Sequence, residues 1–148
     1  MTEGNRNLAI SLFSEILTVD QLLRNRMAKI LPKGMELSHF AVLNQLANIN
    51  TERTPAQLAK SFHVTRGAMT NTLAKLEIAG YIHIRPDWED ARRKLVALSL
   101  TGQEARNEAL ASVSPVISAL IEDLSAHKVK TILPALRDLR QQLENRSD

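Results

Sequence analysis

The stretch TPAQLAKSFHVTRGAMTNTLAKLEIAGYIHIRPDWEDARRKLVALSL, residues 54–100, decides the fold. Thr54 is a good N-cap, Pro55 suits the first helical position, and Gln57 stands three residues after the cap, the spacing of a capping box. A short helix from Pro55 to about Ser61 is predicted. Phe62, His63 and Val64 form a brief link to Thr65, a second N-cap, after which Met69, Leu73 and Leu76 recur at helical spacing. Gly80 stops this longer helix at the C′ position. The period then becomes alternating: Ile82 and Ile84 point one way, and Tyr81, His83 and Arg85 the other. Val96, Leu98 and Leu100 repeat the alternation after the polar segment 86–94, which predicts a two-stranded hairpin with a long charged tip. A short helix tightly joined to a longer one is a helix-turn-helix, whose second helix can enter a DNA major groove, and the hairpin supplies a wing.

Upstream, Leu8, Leu12, Ile16, Val19, Leu23, Met27 and Ile30 lie on one helical stripe that ends before Pro32 and Gly34, with Ile10, Phe13 and Leu17 as a second apolar edge. So much apolar surface must be buried on more than one side, within the core or against another subunit. Ser38 is a candidate cap for a helix carrying Phe40, Leu43, Leu46 and Ala47. Downstream, Thr101 and Glu104 have capping-box spacing and begin a helical region reaching Leu124, which Pro115 should kink or divide. Ser125 can cap a last helix bearing Val129, Ile132, Leu133, Leu136, Leu139 and Leu143, interrupted by Pro134. The fold class is therefore mainly α with a two-stranded β wing, in a single unit over residues 1–148.

Composition narrows the function. The 148 residues are 44% apolar and 24% charged, ordinary for a folded globular chain. Cysteine is absent, which removes disulfides and thiolate chemistry. Without an apolar run of membrane length or a signal peptide, the chain is expected to be cytoplasmic, with no membrane partner. The net charge is only +3, but residues 53–94 hold eight Lys/Arg against four Asp/Glu, while the rest hold eleven against twelve. A basic middle favours a phosphate backbone as partner. His39, His63, His83 and His127 are scattered, so no metal site or other cofactor is expected. Asp87, Glu89 and Asp90 share a charged tip without a nucleophile, and no phosphate loop or nucleophile elbow occurs, which argues against an enzyme.

On the longer helix, Arg66, Thr70, Asn71 and Lys75 lie off the apolar face, and the only acid is Glu77 at the far end. These groups can bond phosphates or base edges. On the wing, Arg92, Arg93 and Lys94 are candidate contacts, Arg93 for a phosphate. Trp88, the single tryptophan, can touch the DNA backbone or insert near it, but a large ring usually covers apolar surface, so it is expected to pack on the hairpin stem.

The chain resembles the MarR family of bacterial transcription regulators. The resemblance runs from Leu37-Ser38, Phe40 and Val42-Leu43 through Thr54-Pro55-Ala56-Gln57-Leu58-Ala59, Val64-Thr65-Arg66, Leu76-Glu77 and Gly80-Tyr81-Ile82. Its most specific part is the wing, Asp90-Ala91-Arg92-Arg93-Lys94-Leu95-Val96-Ala97-Leu98, followed by Thr101-Gly102. It implies a homodimer joined through residues 8–31 and 102–145, with 37–100 as the winged lobe on double-stranded DNA. Thr65, Arg66, Thr70, Asn71 and Lys75 would then face the major groove, and Arg92 the minor groove, steadied by Asp90. A narrow minor groove has the negative potential that draws in a guanidinium. The resemblance also implies a repressor of a pseudo-palindromic operator, released by a small aromatic or phenolic effector, for which Met35, His39 and Phe40 are candidate lining residues.

Four positions depart from the family pattern, Pro115 and Pro134 in the C-terminal helices and two on the DNA-facing helix. Gly67 replaces a common polar residue, which suits close approach of backbone to DNA, and Asn71 stands where a basic side chain is frequent. The alternatives to a sequence-specific regulator are a winged-helix protein-interaction module and an architectural binder without sequence choice. Steep salt dependence separates DNA binding from a hydrophobic protein interface.

Overall fold

A computed structural model of the protein describes residues 2–49 and 51–146. The elements run α1 (Glu3–Ile30), α2 (Leu37–Ile49), α3 (Pro55–Ser61), α4 (Arg66–Ile78), β1 (Ile82–Pro86), β2 (Lys94–Leu98), α5 (Leu100–Leu124) and α6 (Ala126–Asn145). Among the described residues, six helices and a two-stranded antiparallel sheet make the winged helix-turn-helix expected from sequence. The chain falls into two compact units, one up to Ser112 and one from Val113, with the boundary inside α5.

The first unit holds the core. Val42, Leu43 and Leu46 of α2, Leu58 and Ala59 of α3, Met69, Leu73 and Leu76 of α4, Ile82 of β1 and Val96 of β2 form one buried cluster. Each fully buried leucine here contributes about 1.5–3 kcal/mol relative to exposure. Partly buried Met35, Phe62, Tyr81, Ile84 and Leu98 close its edges.

Local chemistry fixes the helix-turn-helix. Thr54 Oγ1 accepts from the Gln57 amide at 3.1 Å, and Gln57 Oε1 accepts from the Thr54 amide at 3.0 Å. This reciprocal box starts α3, with Pro55 in its first turn. The helix ends with His63 in the left-handed region at φ 55°, while the Val64 amide reaches back to the Ala59 carbonyl at 3.0 Å and the His63 amide to Lys60 at 3.2 Å. A histidine occupies the position glycine usually fills in such a C-terminal motif. Thr65 then caps α4 by accepting from the Ala68 amide at 3.1 Å. Gly80, at φ 80°, ends α4 as expected, with the Tyr81 amide bonded to the Leu76 carbonyl and the Gly80 amide to Glu77, both at 3.0 Å.

The hairpin pairs Ile82 with Leu98, Ile84 with Val96 and Pro86 with Lys94. Arg53 adds a bridge on the other edge of β2, exchanging bonds of 3.2 and 2.7 Å with Val96. The strand ends earlier than the alternation predicts. Leu100 is the first residue of α5 and 85% exposed, because Ser99 caps the helix instead of Thr101. Ser99 Oγ accepts from the Gly102 amide at 2.9 Å and donates to the Gly80 carbonyl at 2.6 Å, and its own amide bonds the Tyr81 carbonyl at 3.0 Å. One residue thus ties the end of α4, the entry to β1 and the start of α5. Arg106 of α5 adds a clamp on α2, donating to Asn44 Oδ1 at 3.1 Å and Asn48 Oδ1 at 2.9 Å.

Two other helix starts also shift. α1 begins at Glu3, capped by Thr2, ahead of its apolar stripe. α2 begins at Leu37, which places Ser38 inside the first turn and not at the cap. Along α1 only Met27 is buried, and Leu8, Ile10, Leu12, Phe13, Leu17, Val19, Leu22 and Leu23 are exposed.

In the second unit the helical assignment runs through Pro115 and Pro134, and the break between helices falls at Ser125, at φ 88°. Ser125 Oγ caps α6 by accepting from the Lys128 amide at 3.3 Å, as its sequence position suggests. No residue of α6 is buried, and Ile117, Leu120, Ile121, Leu124, Ile132, Leu133 and Leu136 are all exposed. Among the described residues no single helix is long and apolar enough to cross a membrane.

Candidate nucleic-acid interface

With Met69, Leu73 and Leu76 turned into the core, α4 leaves Arg66, Gly67, Thr70, Asn71 and Lys75 on its exposed surface, as its spacing predicts. Thr65 is exposed at the same end, its hydroxyl engaged as the cap. The first-turn amides of α4 and the cation of Arg66 give this end of the helix a positive potential. A Cβ at Gly67 would meet nothing within 4 Å, so nothing inside the chain requires glycine there.

The wing tip is a defined turn. The Asp87 amide bonds the Arg93 carbonyl at 3.0 Å, the Asp90 amide bonds Asp87 at 3.2 Å, and the Arg93 amide bonds Asp90 at 3.0 Å. Asp90 Oδ1 accepts from the Arg92 amide at 3.0 Å and from Arg92 Nε at 3.4 Å. Arg92 nevertheless has 92% of its side chain exposed, so Asp90 aims it without covering it. Asp87 pairs more loosely with Arg93, at 3.9 Å.

Between the starts of α3 and α4 and the wing lies a groove of about 450 Å³, lined by Thr54, Pro55, Ala56, Arg66, Arg92, Arg93 and Lys94. Its lining holds four cations and no carboxylate. The fold thus brings Arg66 from one element together with the three wing cations, 26 and more residues away in sequence. A second cleft, of about 540 Å³, runs between α4 and β1 past Thr70, Ala74, Glu77, Ile84, Arg85 and Lys94.

Trp88 is the clearest departure from expectation. Its ring does not pack on the stem but stands 80% exposed at the tip. Pro86 ends β1, and Asp87 Oδ1 accepts from the Glu89 amide at 3.0 Å, which turns residue 88 outward. The Arg85 guanidinium lies 5.5 Å from the ring centroid.

Of the candidate effector residues, Met35 packs on the core, Phe40 is half-buried and His39 is buried. His39 works within the fold. It is the third residue of α2, and its Nδ1 accepts from the Glu36 amide at 3.1 Å, the bond a Gln or Glu usually makes in a capping box. None of the three lines the neighbouring cavity of about 360 Å³, formed by Arg24, Leu37, Ser38, Ala41, Val42, Phe62, Val64, Ala68, Met69 and Thr72.

Burial holds the His39 imidazole below its ordinary value, Glu36 opposing the shift and Lys75 adding to it. The unfolded chain therefore takes up this proton first, so stability falls as the pH drops below about 6.5 and levels off below the folded-state value. The urea midpoint is expected to be lower at about pH 5 than near pH 7.5, and His39→Gln, which keeps an acceptor for the Glu36 amide, should flatten that slope. Identical slopes in parent and variant would remove His39 from the acid response.

The sequence model of the MarR family matches residues 33–93, from the entry to α2 through the wing tip. The HTH-type transcriptional repressor YetL of Bacillus subtilis is 26% identical over 141 residues, covering 95% of this chain and 83% of YetL. Among solved structures, a MarR variant from E. coli in complex with operator DNA superposes with TM-score 0.81 at 27% identity, over 90% of this chain and 96% of that one. Over its winged lobe the chain is similar to MarR-family regulators. The named relatives are transcription regulators. The organohalide-sensing regulator RdhR, in its 2,4-dichlorophenol-bound form, shares the fold with TM-score 0.83 at 19% identity, over 91% of this chain and 80% of that one. The matched segment, residues 33–93, contains α4 and the wing turn.

Proposed function

We propose that the protein is a sequence-specific repressor that binds a pseudo-palindromic operator as a homodimer. The observation that carries this reading is the groove in which Arg66, Arg92, Arg93 and Lys94 converge beside the exposed polar face of α4. Thr65, Arg66, Thr70, Asn71 and Lys75 take the major groove, with Gly67 allowing the backbone close to the duplex. Arg92, aimed by Asp90, takes the minor groove, while Arg93 and Lys94 neutralise phosphates.

Two copies pair through residues 8–31 and 102–145, leaving 37–100 as the DNA-binding lobe. This pairing is supported by the exposed leucines, Ile10, Phe13 and Val19 of α1 and the exposed apolar residues of α5 and α6, more than a monomer usually leaves in water. A small aromatic or phenolic effector releases the DNA by favouring a conformer unable to bind it, with Met35, His39 and Phe40 near its site. The protein acts in the cytoplasm, where its DNA target lies.

Selection of bound duplexes from a random pool, followed by a salt titration of the winners, tests the reading. A palindrome with half-sites about one helical turn, roughly 34 Å, apart is expected. With about six phosphates neutralised, affinity should fall on the order of a thousandfold between 50 and 200 mM salt. Binding without a motif would indicate an architectural binder, and absence of salt-sensitive binding a protein-interaction module.

A further inference from the structure

The wing carries a second solvent-facing group besides Arg92. Trp88 is the only tryptophan, and its indole is 80% exposed on a turn held by three backbone bonds and by the Asp87 carboxylate. The ring is not loosely placed. Arg85 lies 5.5 Å from its centroid, and Arg85 is itself anchored, donating to Glu52 Oε1 at 2.8 Å and to the Pro86 carbonyl at 3.0 Å. An indole oriented by a cation over its face yet left in water has its apolar surface uncompensated within the chain.

We propose that Trp88 is a second wing contact to DNA, its indole lying against the deoxyribose and phosphate backbone beside the minor groove assigned to Arg92. This rests on the DNA-binding reading above. The occupant follows from continuity: Trp88 and Arg92 belong to the same seven-residue turn between β1 and β2, so a duplex that receives Arg92 passes the tip. Indole chemistry suits that surface. Its flat apolar face covers sugar carbons, and its N–H, a donor only, can serve a phosphate oxygen. The two aspartates of the turn are taken up by its own arginines, Asp87 by Arg93 and Asp90 by Arg92, which lessens their repulsion of a phosphate. Glu89 follows Trp88 in sequence and adds a further carboxylate to the turn, so the sugar contact carries more of the interaction than the phosphate bond. Trp88 thereby makes affinity depend on the bases flanking the core site through the shape of their backbone, without reading a base edge.

Because Trp88 is the only tryptophan, its emission reports its surroundings directly. Full-length protein is titrated with the duplex recovered by selection, reading end-label anisotropy for binding and Trp88 emission with acrylamide quenching for contact. The expected result is that emission changes with the same midpoint as the anisotropy and that acrylamide access falls severalfold in the complex. Trp88→Ala should bind a duplex that extends past the wing about three- to tenfold more weakly, and a duplex cut short of the wing equally well. The exposed position keeps the variant folded, and circular dichroism checks this.

Anisotropy that rises normally while emission, quenching and Trp88→Ala affinity stay unchanged overturns the contact and leaves DNA binding intact. A change of emission with protein concentration in the absence of DNA places a second copy on the ring and also overturns it. Failure of any duplex to raise the anisotropy removes the DNA-binding reading, and the proposal with it.

Discussion

Gly102→Ala is expected to destabilise the protein by about 2–4 kcal/mol, a loss typical of a forced overpacking and large for a single methyl group. Gly102 is buried in the first turn of α5, and a Cβ there would sit on the Tyr81 carbonyl oxygen, 2.8 Å from the Tyr81 carbonyl carbon and 2.9 Å from Leu98 Cδ1. Two of those atoms are backbone, so they cannot swing aside. The Tyr81 carbonyl also receives the Ser99 amide, and Ser99 Oγ holds both Gly80 and Gly102, so relief of the clash pulls apart the junction of α4, β1 and α5. Alanine would return about 1 kcal/mol through its helix propensity, too little to offset the clash. At fixed protein concentration, the urea midpoint should drop by about 1–2 M.

The same substitution at Gly67 supplies the control. A Cβ there meets nothing within 4 Å, so the helix-propensity term acts alone and Gly67→Ala should be stabilising by up to about 1 kcal/mol. If Gly102→Ala were neutral as well, α5 would not be seated on Tyr81 and Leu98.

Those two glycines show what a sequence can and cannot disclose. Gly80, Thr54, Gln57 and Thr65 were legible because each acts on neighbours a few residues away, where capping rules are strict. The bounds of α3 and the inward face of α4 followed from the same local information. Gly102 was legible only as part of a family motif, since its reason is the Tyr81 carbonyl, 21 residues earlier.

Ser99 beat Thr101 to the cap for a similar reason: its hydroxyl is also needed at Gly80, a partner invisible to local spacing. Leu100 looked like the next strand residue because alternation carries no stop signal, and the helix claimed it for its exposed side. His63 broke a rule that favours glycine or asparagine in the left-handed region, so no local signal could mark the turn residue. His39, a candidate for the effector site, proved to satisfy the Glu36 amide, a role open to a histidine but rarely looked for in one. Trp88 was misjudged on an average preference of large rings for apolar cover, which the Asp87 turn overrides. For the candidate site, spacing put the polar face of α4 on the surface, but the meeting of Arg66 with Arg92, Arg93 and Lys94 belongs to tertiary structure.

Arg92→Ala should lower affinity for the selected duplex by about ten- to a hundredfold, the range of one well-placed base-groove contact. The free protein should lose little stability, because the Arg92 side chain is 92% exposed and the bond from Asp90 Oδ1 to the residue 92 amide survives the change. Charge and shape can be separated with Arg92→Lys. Lysine keeps the cation but loses the planar group and the Nε bond to Asp90, so it should retain the parent's salt slope while recovering only part of the affinity. Alanine should make the slope shallower by about one, as expected for a lost cation. It should also weaken the preference for A·T steps beside the core site, where the narrow minor groove concentrates negative potential. Loss of affinity with an unchanged flank preference would mean that Arg92 meets a phosphate instead of the groove floor. Parent-like binding of every duplex by Arg92→Ala would place the wing off the DNA and leave recognition to α4 alone.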